Sequence, residues 1–194
     1  MGAILQLRTE RQREASDTKM SSARTKYRAK HVFWDSLGRR TMNPQDIQSY
    51  RESGRLKLPS YIWRFDSTHE FKVYLELVRI FGAYRIVRQH ALEVLPPSSC
   101  YPKGKTWRVD FAIASCVNQG GYNYYVEAKG AFLPEFATTL ACLQLHNPFA
   151  FDKVHLVFPE KLPTTSKVLN SLKKTWHASR LITLKELTKK QTLL

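Results

Sequence analysis

Two short segments, Trp107-Arg108-Val109-Asp110-Phe111 and Tyr125-Val126-Glu127-Ala128-Lys129-Gly130, constrain this chain more than any other part of it. Both read as strands, rich in aromatic and β-branched residues, yet each carries ionisable groups where a buried strand holds core residues. An ionised group in such a position is costly unless an opposite charge, a hydrogen-bond donor or a metal ion partners it. Side chains two apart on a strand share one face, about 6.5–7 Å apart. Glu127 and Lys129 therefore share a face, and Val126 and Ala128 the other. The same alternation puts Trp107, Val109, Phe111 and Ile113 on one face of the earlier strand and Asp110 on the opposite one. Asn118-Gln119-Gly120-Gly121 has the composition of the turn that joins them. If Asn118 pairs with Gln119 or Gly121, paired residue numbers sum to an odd value and Asp110 shares the face of Glu127; an even sum separates them.

The flanking sequence places these strands in a larger pattern. Ser67-Thr68-His69-Glu70 has the form of a capping box, and Phe71, Tyr74, Leu75, Val78 and Phe81 follow at helical spacing up to Gly82, predicting a helix over 68–81. An extended segment from Tyr84 to Leu95 stops at Pro96-Pro97, and strands over 107–114 and 122–129 follow a loop. A helix is predicted from about Pro134 to Leu145, a buried strand over Val154–Phe158 before Pro159, and a last helix from about Ser166 to Trp176. Helix, three strands, helix, strand implies an α/β fold, a mixed sheet flanked by helices. Ahead of it, residues 1–30 are polar and charged and read as a basic mobile arm. Residues 31–64 read as a basic extension of the body, with the apolar run Val32-Phe33-Trp34, a turn at Ser36-Leu37-Gly38 and a short helix from Asn43-Pro44-Gln45-Asp46 through Tyr50. The chain thus divides into an arm (1–30), an extension (31–64), a core (65–160) and a basic helical extension (161–194).

Charge follows that division. Residues 1–60 carry 13 Lys or Arg against 6 acids and residues 161–194 carry 8 against 1, while the hundred residues between carry 10 against 9. Most of the net charge of +15 therefore lies in the flanks, which suits a body that does chemistry and arms that hold a polyanion. The plainer reading is a pair of solvated basic tails. The three cysteines, Cys100, Cys116 and Cys142, form no C-x-x-C pair, which argues against a disulfide framework or a zinc cage. No apolar run approaches the roughly 20 residues needed to cross a bilayer, and Met1 to Arg8 is too short for a signal peptide. A reducing, aqueous compartment such as the cytoplasm, with no membrane partner, is expected. The six histidines form no ligand-like cluster.

Two carboxylates converging on one strand face make a site for a hard divalent cation such as Mg²⁺, which prefers oxygen ligands. Such an ion can polarise a phosphodiester and lower the pKa of an attacking water. Lys129 could orient that water or offset charge building on the phosphate. The carbonyl of Ala128 is a candidate further ligand, and Glu70 on the preceding helix a fourth member. Asp110, a spacer, then Glu127-Ala128-Lys129 on the next strand, after a helix carrying Glu70 and before a helix and a strand, resembles the PD-(D/E)XK nuclease superfamily over about residues 65–158. Val109 stands where the name-giving proline would be. Phe65-Asp66-Ser67 leading to Glu70, with Gln89 on the next strand, is similar to small phage-type and intron-type members, among them homing endonucleases and Holliday-junction resolvases.

The resemblance implies a restriction-endonuclease-like α-β-β-β-α-β core and a Mg²⁺-dependent endodeoxyribonuclease, Mn²⁺ being a possible substitute, with no small-molecule cofactor. Asp110, Glu127, Lys129 and Glu70 would be catalytic, with Asp110, Glu127, Ala128 and Glu70 holding the metal. It also implies a homo-oligomer, since two strands need two sites, and either a site-specific homing-type enzyme or a structure-selective resolvase. A catalytically silent DNA-binding scaffold is the reading from another class. Each residue has a duller role as well: Glu70 as capping partner of Ser67, Asp110 as a surface acid paired with Lys105 or Arg108, Glu127 and Lys129 as a same-face ion pair. DNA contact is expected from Arg24, Lys26, Arg28 and Lys30, from Arg39, Arg40, Arg51, Arg55 and Lys57, and from Lys173 and Lys174. Trp34, Tyr50, Tyr61 and Trp63 lie near these cations and could stack on bases, although core packing is the expected role.

Overall fold

The structure is a computed structural model, and it describes residues 30–53, 58–115, 121–162 and 167–190. In chain order the elements are β1 (Val32–Asp35), β2 (Arg40–Thr41), α1 (Pro44–Glu52), β3 (Ile62–Phe65), α2 (Thr68–Phe81), β4 (Ile86–Leu95), β5 (Lys105–Ala114), β6 (Tyr122–Ala128), α3 (Pro134–His146), α4 (Pro148–Asp152), β7 (Val154–Phe158), α5 (Lys167–Thr175), β8 (Leu181–Thr183) and α6 (Leu184–Lys189). The central sheet runs β4-β5-β6-β7-β8, antiparallel from β4 to β6 and parallel from β6 to β8. The expected α/β fold with a mixed sheet flanked by helices is present. Four corrections refine it. The expected extension over 31–64 is a second sheet, β2-β1-β3, all antiparallel. The boundary placed at residue 160 does not end the sheet, because β8 adds a fifth strand from the segment expected to be only helical. The extended segment predicted from Tyr84 opens with a 3₁₀ turn over Ala83–Arg85, so its strand begins at Ile86. The fourth concerns the faces of β5.

Two apolar clusters cover the two faces of the five-stranded sheet. Adjacent residues of one strand point to opposite faces, and Leu156 and Leu181 join one cluster while Val157 and Ile182 join the other. The first cluster is capped by α3, α4 and α5 through Phe136, Leu140, Leu143, Phe151, Leu169 and Trp176. The second is capped by α2 and α6 through Phe71, Val73, Tyr74, Leu77 and Leu187, with Phe65 of β3 wholly buried among them. Trp34 meets Phe71 at 5.2 Å and Trp63 meets Tyr74 edge-on at 5.8 Å. Both tryptophans are partly buried and pack against the second cluster, fastening the small sheet to α2. Arg79 near the end of α2 donates from Nη2 to the carbonyls of Thr188 and Lys190 at 2.9 and 3.0 Å, closing the exposed end of α6.

The expected alternation fails at one rung. Val109 belongs to the first cluster but Phe111 and Ile113 to the second, so they do not share a face. On β4, Arg88 stacks on Phe65 of the second cluster, whereas His90 stacks on Tyr125 of the first. The partners across this ladder are Arg88 with Phe111 and His90 with Val109, so both strands reverse their faces between the same two rungs, at Gln89 and Asp110. Gln89 has φ +51°, a left-handed conformation uncommon outside glycine and about 1–3 kcal/mol above the ordinary strand region.

Candidate functional site

The β5–β6 ladder pairs Phe111 with Val126 and Ala112 with Tyr125, so paired numbers sum to an odd value, the register that brings Asp110 and Glu127 together. Beyond Phe111–Val126 side chains take over the rungs. The amide of Asp110 donates to Glu127 Oε2 at 3.1 Å, and the amide of Ala128 donates to Asp110 Oδ2 at 2.9 Å. Lys129 Nζ lies 2.6 Å from Glu127 Oε1 and 4.0 Å from the centre of the Phe136 ring. Glu70 approaches from α2. Its amide donates to Ser67 Oγ at 2.9 Å, but its carboxylate takes the amide of Asp66, at 2.7 Å from Oε2, where a full capping box would return to Ser67. Gln89 Nε2 bridges Glu70 Oε1 at 3.4 Å and Asp110 Oδ1 at 3.3 Å. Glu70, Asp110, Glu127 and Lys129 are thus linked by hydrogen bonds and one ion pair. Asp110 has neither Lys105 nor Arg108 as its partner in this network.

Electrostatics set this cluster apart. Glu70 and Glu127 are only 4% and 5% exposed, too little for water to screen them. Burial, then the neighbouring Asp110 charge, pushes Glu70 up to about 7. Burial and Glu127 push Asp110 well above the usual carboxylate range, and burial raises Glu127 despite Lys129. Three acids are therefore held in mutual repulsion, offset by Lys129 from one side and by Arg88 from the other, the Arg88 charge tempering Glu70. An oxygen-rich, over-negative cluster fits a hard divalent cation in donor chemistry. Among the described residues no three His, Cys, Asp or Glu side chains stand as a ready-made cage. The reason is local: Glu127 is turned onto Lys129 and the Asp110 amide, Asp110 onto Ala128 and Gln89, and Glu70 onto Asp66. Each carboxylate oxygen keeps a second lone pair for a ligand.

Arg88 carries a role that the sequence reading did not assign, and Gln89, named there only within the nuclease resemblance, bridges Glu70 and Asp110. Arg88 Nη2 donates to the Arg64 carbonyl at 2.7 Å, its guanidinium lies 4.0 Å over the Phe65 ring, and its Nε has no hydrogen-bond partner. The available signal was an arginine and a glutamine inside an apolar strand one hairpin away from Asp110. His69 donates from Nε2 to the Val157 carbonyl at 2.8 Å, and burial lowers its pKa, so it is a neutral ring that fastens α2 to β7. A cleft of about 590 Å³ opens beside Ala128, Lys129 and Gly130, between the first turns of α2 and α3.

Among the described residues, the expected DNA contacts do not gather at one place. Lys30, Arg39 and Arg40 are exposed around the β1–β2 hairpin, which packs on the second cluster, and Arg40 Nε lies 3.8 Å from Asp35. Lys173 and Lys174 are exposed on α5, which packs on the first. The two groups therefore belong to opposite faces of the sheet. Arg24, Lys26, Arg28, Arg55 and Lys57 lie outside the described residues, as do the joining turn at Asn118–Gly120 and Cys116; Cys100 and Cys142 are free thiols. No described helix is long and apolar enough to cross a membrane. Comparison with protein-family models, curated proteins and solved structures found no match.

Proposed function

We propose that this protein is a divalent-metal-dependent endodeoxyribonuclease of the PD-(D/E)XK type. The observation that carries the reading is the crossed pair of bonds between Asp110 and the Glu127–Ala128 segment, with Lys129 on Glu127 and Glu70 linked through Gln89. Asp110, Glu127, Glu70 and the carbonyl of Ala128 would hold Mg²⁺, or Mn²⁺ in its place, and that ion would supply a polarised phosphodiester and a more acidic attacking water. Glu127 holds Lys129 at 2.6 Å beside the carboxylates, where its ammonium would orient the attacking water or offset charge on the phosphate oxygens. The basic flanks supply the grip on DNA, and pairing of two copies supplies a site for each strand.

The test is cleavage of plasmid, four-way-junction and single-stranded DNA with Mg²⁺. Cutting by the wild type that is lost in Asp110→Asn and in Glu127→Gln is the expected result. Undiminished cutting by both variants removes the site, and no cutting of any DNA by the wild type leaves the DNA-binding scaffold as the better account.

A further inference from the structure

The cleft beside Lys129 is poorly suited to phosphate and well suited to a base. Its volume of about 590 Å³ lies within the ~300–1,000 Å³ of small-molecule pockets. Trp107, Leu133 and Phe136 give it an apolar wall, and Asp66, Glu135 and Thr139 line it with oxygen acceptors. Lys129 is the only Lys or Arg among the described lining residues, and it is already paired with Glu127 at 2.6 Å. A phosphate entering here would meet two carboxylates. A nucleobase is uncharged, has two flat faces, and carries ring and amino N–H groups that those carboxylates can accept. The half-buried Trp107 indole is braced edge-on by Phe136 at 5.3 Å, and Phe136 in turn by Phe132 at 5.5 Å, a rigid surface of the kind on which unpaired bases stack.

We infer that this cleft receives an unpaired nucleobase next to the scissile phosphate, so that the preferred substrate is DNA with a looped-out, branched or single-stranded nucleotide at the cut. This rests on the nuclease reading, because Ala128 and Lys129 belong both to the carboxylate site and to the cleft. A base that is already unpaired enters without breaking a base pair, which is how such pockets select their substrate.

The experiment uses the full chain and two oligonucleotides of one sequence, one fully paired and one with a single bulged 2-aminopurine. Binding, read as fluorescence of that base with Ca²⁺ present, is followed separately from Mg²⁺-dependent cleavage. The wild type is expected to quench the bulged base and to cut the bulged strand about tenfold faster, the ratio a difference of ~1.4 kcal/mol produces. Trp107→Ala should lose both effects and Trp107→Phe keep them. Ala131→Met, which narrows the cleft and leaves Trp107 itself in place, should lower the ratio even if Trp107→Ala proves unfolded by circular dichroism. Equal cutting of both oligonucleotides, with no quenching, overturns the inference and leaves the nuclease standing. Trp107-dependent quenching with no cleavage upholds the base pocket and removes the nuclease.

Discussion

Buried charge is treated in opposite ways at the two ends of the β6–β7 pair. Where β7 begins, Arg180 donates to the carbonyls of Val154, at 3.0 Å, and Phe151, lies 3.7 Å from Asp152 and sits 3.8 Å over the Trp176 ring. His155 beside it is driven down to about 4 by burial and is neutral, donating from Nδ1 to the Lys153 carbonyl at 2.9 Å. Every group there has a partner, and the result is a clamp between the α4–β7 and α5–β8 junctions. Where β6 ends, burial and, after it, one another's charge raise the pKa of three carboxylates, which share internal donors too few to neutralise them. Compensated charge locks a fold; uncompensated charge of one sign demands something from outside.

The sharpest way to break this contrast is to remove charge from each end. Asp110→Asn should fold at least as stably as the wild type, yet lose about 10³-fold in cleavage rate, the order seen when a transition-state contact is removed. A variant that cuts normally would erase the distinction. Arg180→Ala should leave the intrinsic chemistry alone and cost about 3 kcal/mol in urea denaturation, because the carbonyls of Phe151 and Val154 lose a charged donor inside the protein. A cost below about 0.5 kcal/mol would mean that the clamp is ornamental.

The pH dependence sharpens the contrast further. Glu70 moves from 4.5 when unfolded to about 7 when folded, so the folded state holds the extra proton between those values. Its stability contribution is therefore present below about pH 4.5 and is lost as pH rises through about 7, by up to about 3 kcal/mol at ~1.4 kcal/mol per pKa unit. Glu70→Gln should flatten that part of the profile and raise the melting temperature at pH 8. Mg²⁺ at 100 times its dissociation constant should restore about 2.7 kcal/mol to the wild type at pH 8 and much less to a double variant with Asp110→Asn and Glu127→Gln. The smallest effect is expected at Arg64, whose exposed pair with Asp66 at 3.1 Å should contribute less than about 1 kcal/mol when Arg64→Ala is compared by denaturation.

Much of the framework was legible because its signals are local. The helix expected over 68–81 is α2, with the Ser67 cap and the Gly82 stop where the pattern put them, and the strand expected over Val154–Phe158 is β7. The convergence of Asp110 and Glu127 was legible only as one of two registers, since alternation fixes which residues share a face and not which rung they occupy. What escaped was non-local. The face reversal at Gln89 and Asp110 comes from one left-handed residue in a strand, which no periodicity announces. β3 and β8 are four and three residues long, too short for alternation to register. One signal was overlooked: Thr183-Leu184-Lys185-Glu186 is a complete capping box that marks the start of α6.

The change from antiparallel to parallel pairing at β6 sets an order of assembly. β4, β5 and β6 form a meander of sequence neighbours, whereas β7 reaches β6 only through the crossover that carries α3 and α4. Contacts with short loops close first, because they sacrifice the least chain entropy. Glu70, Asp110, Glu127 and Lys129 all lie ahead of that crossover, so every member of the acid cluster is in place in the chain before β7 and β8 join the sheet. During synthesis the nascent chain would hold its carboxylates and Trp107 before it possesses the two parallel strands that complete the sheet.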